Sequence, residues 1–385
     1  MRSDRGRLGI IAMDNFYHLA KKVDNHLIKL MKENTNELIP KEGYLIPSKA
    51  ERFGNGEGKG VLINSVGGKD IFIISDIGNH YVTYDFFEEK RTMSPDEHFM
   101  DIIRMIGAIG GEADRINVVM PLLYESRQHR RKQRESLDCA MSLQMLQNLG
   151  VKHTITFDVH DPEMKNATPL NPIKNLYPTK DILTEFVDRE LDADFDNLIP
   201  IAPDNGAIGR TTTYASMVGA KNIAHFYKLR DYSRVEHGLN PIKEHKYTGT
   251  EDEGMSYIIV DDMIASGGSM IDCFKRLKMK NPKDIYAVAT FPIFTQGIEN
   301  FDKAYNNGLF TKIYTTNLTY LPEEIVNKPW IEVVDCSKSL AQAIYNINQY
   351  EPMTPLLNGK QETYEYIKDA IKRNKILKKT IKYDK

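Results

Sequence analysis

Short β-branched runs alternate with longer amphipathic stretches along most of this chain, and no other feature narrows its possible folds as far. Strands are expected at Asp70–Ser75, Asn117–Met120, His153–Val159, Leu198–Ala202, Ser256–Val260, Ile285–Phe291 and Lys312–Thr316. Helix-like segments lie between them, including His98–Ile109, Ser136–Leu149, Pro178–Leu191 and Gly268–Met279. Alternation at this spacing predicts an α/β chain with parallel sheets and helices on both faces. At 385 residues the chain exceeds one small core and suits two domains. The Pro- and Asn-containing segment Asn166–Asn175 is the expected linker, and the lysine-rich end Lys372–Lys385 an expected solvated helix or frayed end.

Composition removes several function classes. The 51 basic and 53 acidic residues leave a net charge of −2, so there is no electrostatic case for a nucleic-acid or membrane partner. The longest apolar runs, such as Ile71–Ile74 and Ile258–Val260, are far shorter than the roughly 20 residues that cross a bilayer. Positive charge at the N-terminus is followed by no apolar segment, so no secretory signal is expected. Cys139, Cys273 and Cys336 are scattered without metal-site spacing; they fit core positions in a reducing cytoplasm better than disulfides, zinc ligands or nucleophiles.

In open α/β sheets ligands sit beyond the carboxyl ends of strands, so the strand-closing turns hold the chemistry. Phe157-Asp158-Val159-His160 closes one strand in the first half and Val260-Asp261-Asp262 another in the second. The second belongs to the strongest local signal, Ile258-Ile-Val-Asp-Asp-Met-Ile-Ala-Ser-Gly-Gly-Ser269. Here an apolar strand delivers Asp261 and Asp262 to its end, where carboxylates hold sugar hydroxyls and bound magnesium. The loop Ala265–Ser269 then opens a helix. Its backbone N–H groups, the Ser266 and Ser269 hydroxyls and the helix N-terminus form a phosphate cradle. Gly267 and Gly268 allow close approach to phosphate. An Asp-rich turn between an ordinary strand and helix is the plainer reading of the same residues.

The full string resembles the sugar-phosphate loop of type I phosphoribosyltransferase folds. Several other segments occur with it in order: Glu51-Arg-Phe-Gly-Asn-Gly-Glu57, Gly68–Ser75, Met120-Pro-Leu-Leu-Tyr-Glu-Ser-Arg-Gln-His129, Asp158-Val-His160, Ala202-Pro-Asp-Asn-Gly206, Tyr227-Lys-Leu-Arg230 and Ala289–Phe294. This ordered set resembles the ribose-phosphate pyrophosphokinase family from about residue 50 to residue 350. The resemblance implies two tandem phosphoribosyltransferase-like domains, each a parallel sheet flanked by helices, at 1–175 and 176–345, with a C-terminal extension at 346–385. It also implies transfer of the β,γ-diphosphate of Mg·ATP to the anomeric hydroxyl of ribose-5-phosphate, giving phosphoribosyl pyrophosphate and AMP.

Site roles follow from the same resemblance. Phe53, Asn55 and Glu57 match residues that contact adenine from a neighbouring subunit, in a homo-oligomer built from dimers up to a hexamer. Arg127 and Gln128 match an ATP-binding pair. His160, also on the ATP side, and Asp204 match positions near the metal, here Mg2+, and the triphosphate. Lys228 and Arg230 match a basic pair on a mobile catalytic loop. Asp261, Asp262, Ser266, Gly267, Gly268 and Ser269 match the ribose-5-phosphate site. Taken singly, Arg127 belongs to a run of basic residues that reads as a solvated face, His160 reads as a structural histidine, Lys228 and Arg230 as surface charge, and Phe53 as core.

The chain also departs from the family's pattern. Ala265 and His129 stand where the family usually has aspartate, and Phe291 where it has histidine. Asp161-Pro-Glu replaces small and amide residues, and the stretch from Lys228 to Asp261 is long, with polar Glu244–Glu253 expected to be mobile. A non-catalytic regulatory subunit, or a phosphoribosyltransferase that consumes the same pyrophosphate, therefore stands beside the synthetic enzyme as an alternative.

Overall fold

The computed structural model describes residues 6–131, 133–191, 193–230, 242–249, 253–358 and 360–383; of residues 228–230, 242–245, 358 and 375–383 it describes the backbone. Among the described residues no helix is long and apolar enough to cross a membrane. The chain divides into two compact units, Met1–Pro178 with Asn317–Tyr320 and Asp335–Asn358, and Thr179–Thr316 with Leu321–Val334 and Gly359–Lys385.

The first unit opens with β1 (Arg7–Ala12), α1 (Tyr17–Asn34), β2 (Ser48–Arg52), β3 (Gly58–Leu62), β4 (Lys69–Ile74), β5 (Thr83–Phe86) and β6 (Glu89–Thr92). It continues through α2 (Pro95–Ile109), β7 (Arg115–Val119), α3 (Asp138–Asn148), β8 (Val151–Phe157) and β9 (Lys174–Leu176). Strands β1, β4, β7, β8 and β9 form a parallel sheet in the order β1-β4-β7-β8-β9, while β2–β3 and β5–β6 are separate antiparallel hairpins. Ile71, Ile73 and Val118 pack with residues of α2 and α3, and the alternate residues Phe72, Ile74 and Val119 are equally buried on the opposite face. Continuous apolar runs of this kind are what a parallel sheet covered on both faces requires. Helix α2 starts earlier than its apolar periodicity suggests. Ser94 and Glu97 form a reciprocal capping box, with Pro95 at the first helical position.

Asn166–Asn175 is not a linker. Asn171 Nδ2 donates to the Val151 carbonyl at 2.9 Å, and β9 extends the sheet by pairing with β8, so the segment is part of the first unit.

The second unit contains α4 (Thr179–Arg189), β10 (Leu198–Ala202), α5 (Ile208–Val218), β11 (Ala224–Arg230), β12 (Ile242–Thr248), β13 (Ser256–Ile264), α6 (Gly268–Lys278), β14 (Ile285–Pro292), α7 (Glu299–Asn306), β15 (Lys312–Thr316), α8 (Glu323–Val326) and β16 (Ile331–Val334). Its sheet runs β12-β11-β10-β13-β14-β15-β16, parallel except for β12. Ile259 joins a cluster with Met270, Phe274 and Phe301, whereas its neighbours Ile258 and Val260 join Phe186, Tyr214 and Ile367. The period of two thus buries β13 on both faces.

Three C-terminal helices follow, α9 (Ser337–Gln349), α10 (Thr354–Asn358) and α11 (Lys360–Tyr383). Helix α9 packs against α1 in the first unit. There Asn348 Nδ2 donates to the fully buried Asp70 at 2.9 Å, beside Arg115 and Asn117. Burying a carboxylate this deeply requires such a set of donors. Asp76, also fully buried, draws 317–320 into the same unit by accepting from Thr319 Oγ1 at 2.9 Å and Tyr320 N at 2.7 Å. Helix α11 instead packs on α4 and α5, with Ile367 and Ala370 buried and Asn374 Nδ2 donating to the Val187 carbonyl at 2.7 Å. The lysine-rich end, expected as a solvated helix or a frayed end, begins as a helix in which Lys372 and Arg373 are exposed and Asn374 is buried. All three cysteines are buried, as expected.

Candidate functional site

In the second unit the carboxyl ends of two adjacent parallel strands supply the polar groups. β13 runs to Ile264, with Met263 opposite Phe291 and Ile264 opposite Pro292 of β14. The strand expected to stop at Val260 is thus four residues longer, and the acidic pair lies on the strand instead of in a turn, because pairing with β14 continues past it. Asp262 is buried, and its N–H donates to Asp261 Oδ1 at 2.9 Å. Burial holds the Asp261 carboxyl well above the usual carboxylate range, and the charges of Asp262 and Asp204 push it the same way against Arg210. Such a cluster favours a ligand that brings hydroxyl donors or positive charge.

The loop beyond β13 is tightly held. The Ala265 carbonyl accepts from Thr295 N at 2.9 Å, and the Ile264 carbonyl accepts from Ile293 N and Phe294 N at 3.0 Å each. Gly267 has φ +81° and precedes the first residue of α6, and a Cβ there would collide with the Phe301 ring. Ser266, Gly268 and Ser269 are exposed around the start of that helix, where the macrodipole favours an anion. Beyond β10, Asp204 Oδ1 accepts from Gly206 N at 3.0 Å. Phe291 is fully buried core.

Arg210, in the first turn of α5, was not singled out from sequence; its charge acts on Asp261. Its one sequence cue was its place in the helix that follows the Ala202–Gly206 turn.

Lys228 and Arg230 lie near the end of β11, beyond the level at which Ala202 of β10 pairs with His225. Their backbone pairs antiparallel with β12, Lys228 opposite His245 and Arg230 opposite Ile242. Their side chains lie outside the described residues. Of Glu244–Glu253, expected to be mobile, the part through Thr248 belongs to β12, whose backbone groups are satisfied by a ladder with β11, while residues 250–252 lie outside the described residues.

In the first unit Arg127, Gln128 and His160 lie on two loops beyond β7 and β8. Arg127 is exposed, while Gln128 Nε2 donates to the Ser136 carbonyl at 2.8 Å. Asp158, with φ +39°, turns the chain after β8, and His160 is exposed. The His160 ring centroid lies 5.3 Å from that of His129, whose Nε2 is 3.3 Å from Asp161 Oδ2. Arg130 also bonds Asp161 Oδ2, at 2.8 and 3.1 Å. Burial raises the Asp161 carboxyl, but the Glu163 N–H and the Arg130 and His129 side chains outweigh it and leave the group below its ordinary range.

Phe53, Asn55 and Glu57 form the tip of the β2–β3 hairpin. Phe53 is 49% exposed, so it is not core, and Lys59 Nζ lies 5.7 Å from its ring centroid. Asn55 Nδ2 donates to Glu57 Oε2 at 3.0 Å. The Phe87 N–H of the β5–β6 hairpin donates to the Gly54 carbonyl at 2.6 Å and braces the tip. A cavity of about 210 Å³ in this unit is lined by Asp14, Arg52, Tyr84, His98 and Asp101 among others, and contains none of the expected site residues.

No three His, Cys, Asp or Glu side chains among the described residues form a ready metal cage. Magnesium keeps several waters and takes one or two carboxylates with substrate phosphates, so Asp204 fits it without a cage. His160 offers nitrogen and fits it less well.

Residues 8–150 match the model of the N-terminal domain of ribose phosphate pyrophosphokinase. A ribose-phosphate pyrophosphokinase of Vibrio parahaemolyticus is 27% identical over 315 residues, covering 81% of this chain and 91% of that protein. One from Chlorobaculum tepidum is 27% identical over 319 residues, covering 82% and 88%. The crystal structure of phosphoribosylpyrophosphate synthetase from Mycobacterium smegmatis superposes with a TM-score of 0.72 at 19% identity, covering 89% of this chain and 99% of that one. The fold is the α/β fold of that synthetase, with two mainly parallel sheets flanked by helices.

Proposed function

We propose, from the premise that this chain is a divergent relative of the ribose-phosphate pyrophosphokinases, that it moves the β,γ-diphosphate of Mg·ATP onto the anomeric hydroxyl of ribose-5-phosphate. The observation that carries this reading is the end of β13, where Asp261 and Asp262 meet the glycine loop and the start of α6, with Asp204 and Arg210 acting on the same charge cluster. A second polar group, Arg127, Gln128 and His160, is available for the triphosphate.

In this reading Asp261 and Asp262 accept hydrogen bonds from the ribose hydroxyls, and Ser266–Ser269 with the helix N-terminus hold the 5-phosphate. The anomeric hydroxyl oxygen bonds to the β-phosphorus as the bond from that phosphorus to the oxygen bridging the α- and β-phosphates breaks; AMP departs with that oxygen, and the hydroxyl proton passes to water. Charge builds on the transferred group, so positioning and cationic donors matter more than a covalent nucleophile. Lys228 and Arg230 supply those donors. Asp204 would hold magnesium, which would help to neutralise the phosphate charge. Phe53, Asn55 and Glu57 reach the adenine of a neighbouring subunit in a homo-oligomer, and a cytoplasmic setting suits three buried thiols.

Purified protein incubated with Mg·ATP and ribose-5-phosphate is expected to release AMP and phosphoribosyl pyrophosphate together, and Lys228→Ala to lower turnover by about a hundredfold or more. A chain that forms neither product, but alters the rate of an active homologue, is a regulatory subunit. Consumption of added phosphoribosyl pyrophosphate with a free base, without ATP, makes it a phosphoribosyltransferase. Unchanged turnover in Lys228→Ala removes that residue from the mechanism.

A further inference from the structure

The His129–Asp161 contact joins two side chains to which the proposed chemistry gives no direct role. They lie on different loops of the first unit, yet His129 Nε2 is 3.3 Å from Asp161 Oδ2, with the two side chains 16% and 12% exposed. The same oxygen accepts both Arg130 bonds, while Asp161 Oδ1 accepts from Glu163 N at 3.0 Å. One mostly buried carboxylate thus fastens the 127–130 segment to the turn that carries His160, and the His129 ring lies beside the His160 ring.

We infer that Asp161 is a positioning residue for the nucleotide-binding residues Arg127, Gln128 and His160, holding His129 and Arg130 of the first loop from the turn that carries His160. The inference rests on the reading of these residues as the triphosphate site. Asp161 touches no substrate in this account; it fixes His129 and Arg130, and through the backbone the adjoining Arg127 and Gln128. Charge-assisted bonds to a partly buried carboxylate are strong enough to hold such a segment in one arrangement.

Mg·ATP and ribose-5-phosphate binding, measured separately by calorimetry on the full chain, test it. Asp161→Asn and Arg130→Ala are each expected to weaken Mg·ATP binding about tenfold while ribose-5-phosphate binding stays put; the double variant is expected to lose no more than either single one, because both remove the same bond. Single variants that bind Mg·ATP as wild type does, or a double variant showing the product of both losses, overturn the inference. Parallel loss of both ligands with a lowered unfolding temperature also overturns it, because the role is then structural. Should Asp161→Asn fail to fold, Arg130→Ala, which removes an exposed side chain, is expected to weaken Mg·ATP alone, and equal binding there overturns the inference too. Wild type that binds no Mg·ATP sinks the functional reading itself, which is a distinct result.

Discussion

Gly267 illustrates how one residue's covalent geometry serves a site. Its φ of +81° suits glycine, and a Cβ would strike the Phe301 ring beneath the loop. Gly267→Ala is expected to cost about 1–3 kcal/mol and to raise the KM for ribose-5-phosphate much more than that for Mg·ATP. Initial-rate measurements against each substrate check this, and equal effects on both would count against the loop's assignment. The paired glycines were legible in the sequence as a tight loop before a helix; the aromatic ring below them was not, because Phe301 is distant in the chain. Asp335 offers a pH test. Burial alone would raise its pKa, but Lys22, Ser337 and Asn317 hold it down to about 2 from an ordinary 3.8. A depressed carboxylate adds stability that is fully present above about pH 4 and is lost as pH falls toward 2. The difference in unfolding temperature between wild type and Asp335→Asn should therefore shrink over that interval, and a gap that stays constant from pH 6 to 2 would show that the pairing contributes nothing.

At the scale of elements, propensity and periodicity located the core strands and the principal helices but misjudged several ends. β13 continues through two aspartates because its ladder with β14 outweighs their poor strand propensity. β12 forms from a polar stretch because β11 offers it an antiparallel partner. Both outcomes depend on a neighbouring strand, which local composition does not encode. The start of α2 was legible in principle, since Ser94-Pro95-Asp96-Glu97 is a capping-box string. Ser94→Ala is expected to destabilise the chain by about 1 kcal/mol through the lost cap, readable as an earlier midpoint in urea unfolding. A midpoint equal to that of wild type would mean that the Glu97 side chain alone secures the helix start.

At the scale of the whole molecule, the chain does not partition into consecutive blocks. Residues 317–320 and 335–358 rejoin the first unit, while α11 completes the second by burying Ile367 and Ala370 against α4, α5 and the sheet. Removing residues 360–385 is expected to destabilise the second unit by about 2–4 kcal/mol, from the apolar surface exposed and the hollow left behind. Thermal unfolding of the truncated chain checks this, and an unchanged transition would show that α11 contributes little. The sequence by itself determined the α/β class, the approximate place of most strands of the two large sheets, and the glycine loop that follows β13, because each is written in residues adjacent along the chain. Tertiary structure alone decided that Asp204, Arg210 and Asp261 share one charge cluster, that His129 meets Asp161, and which unit each C-terminal segment joins. Those pairings are selected by burial and by the need to satisfy buried charge, and these forces act between residues that local periodicity leaves unrelated.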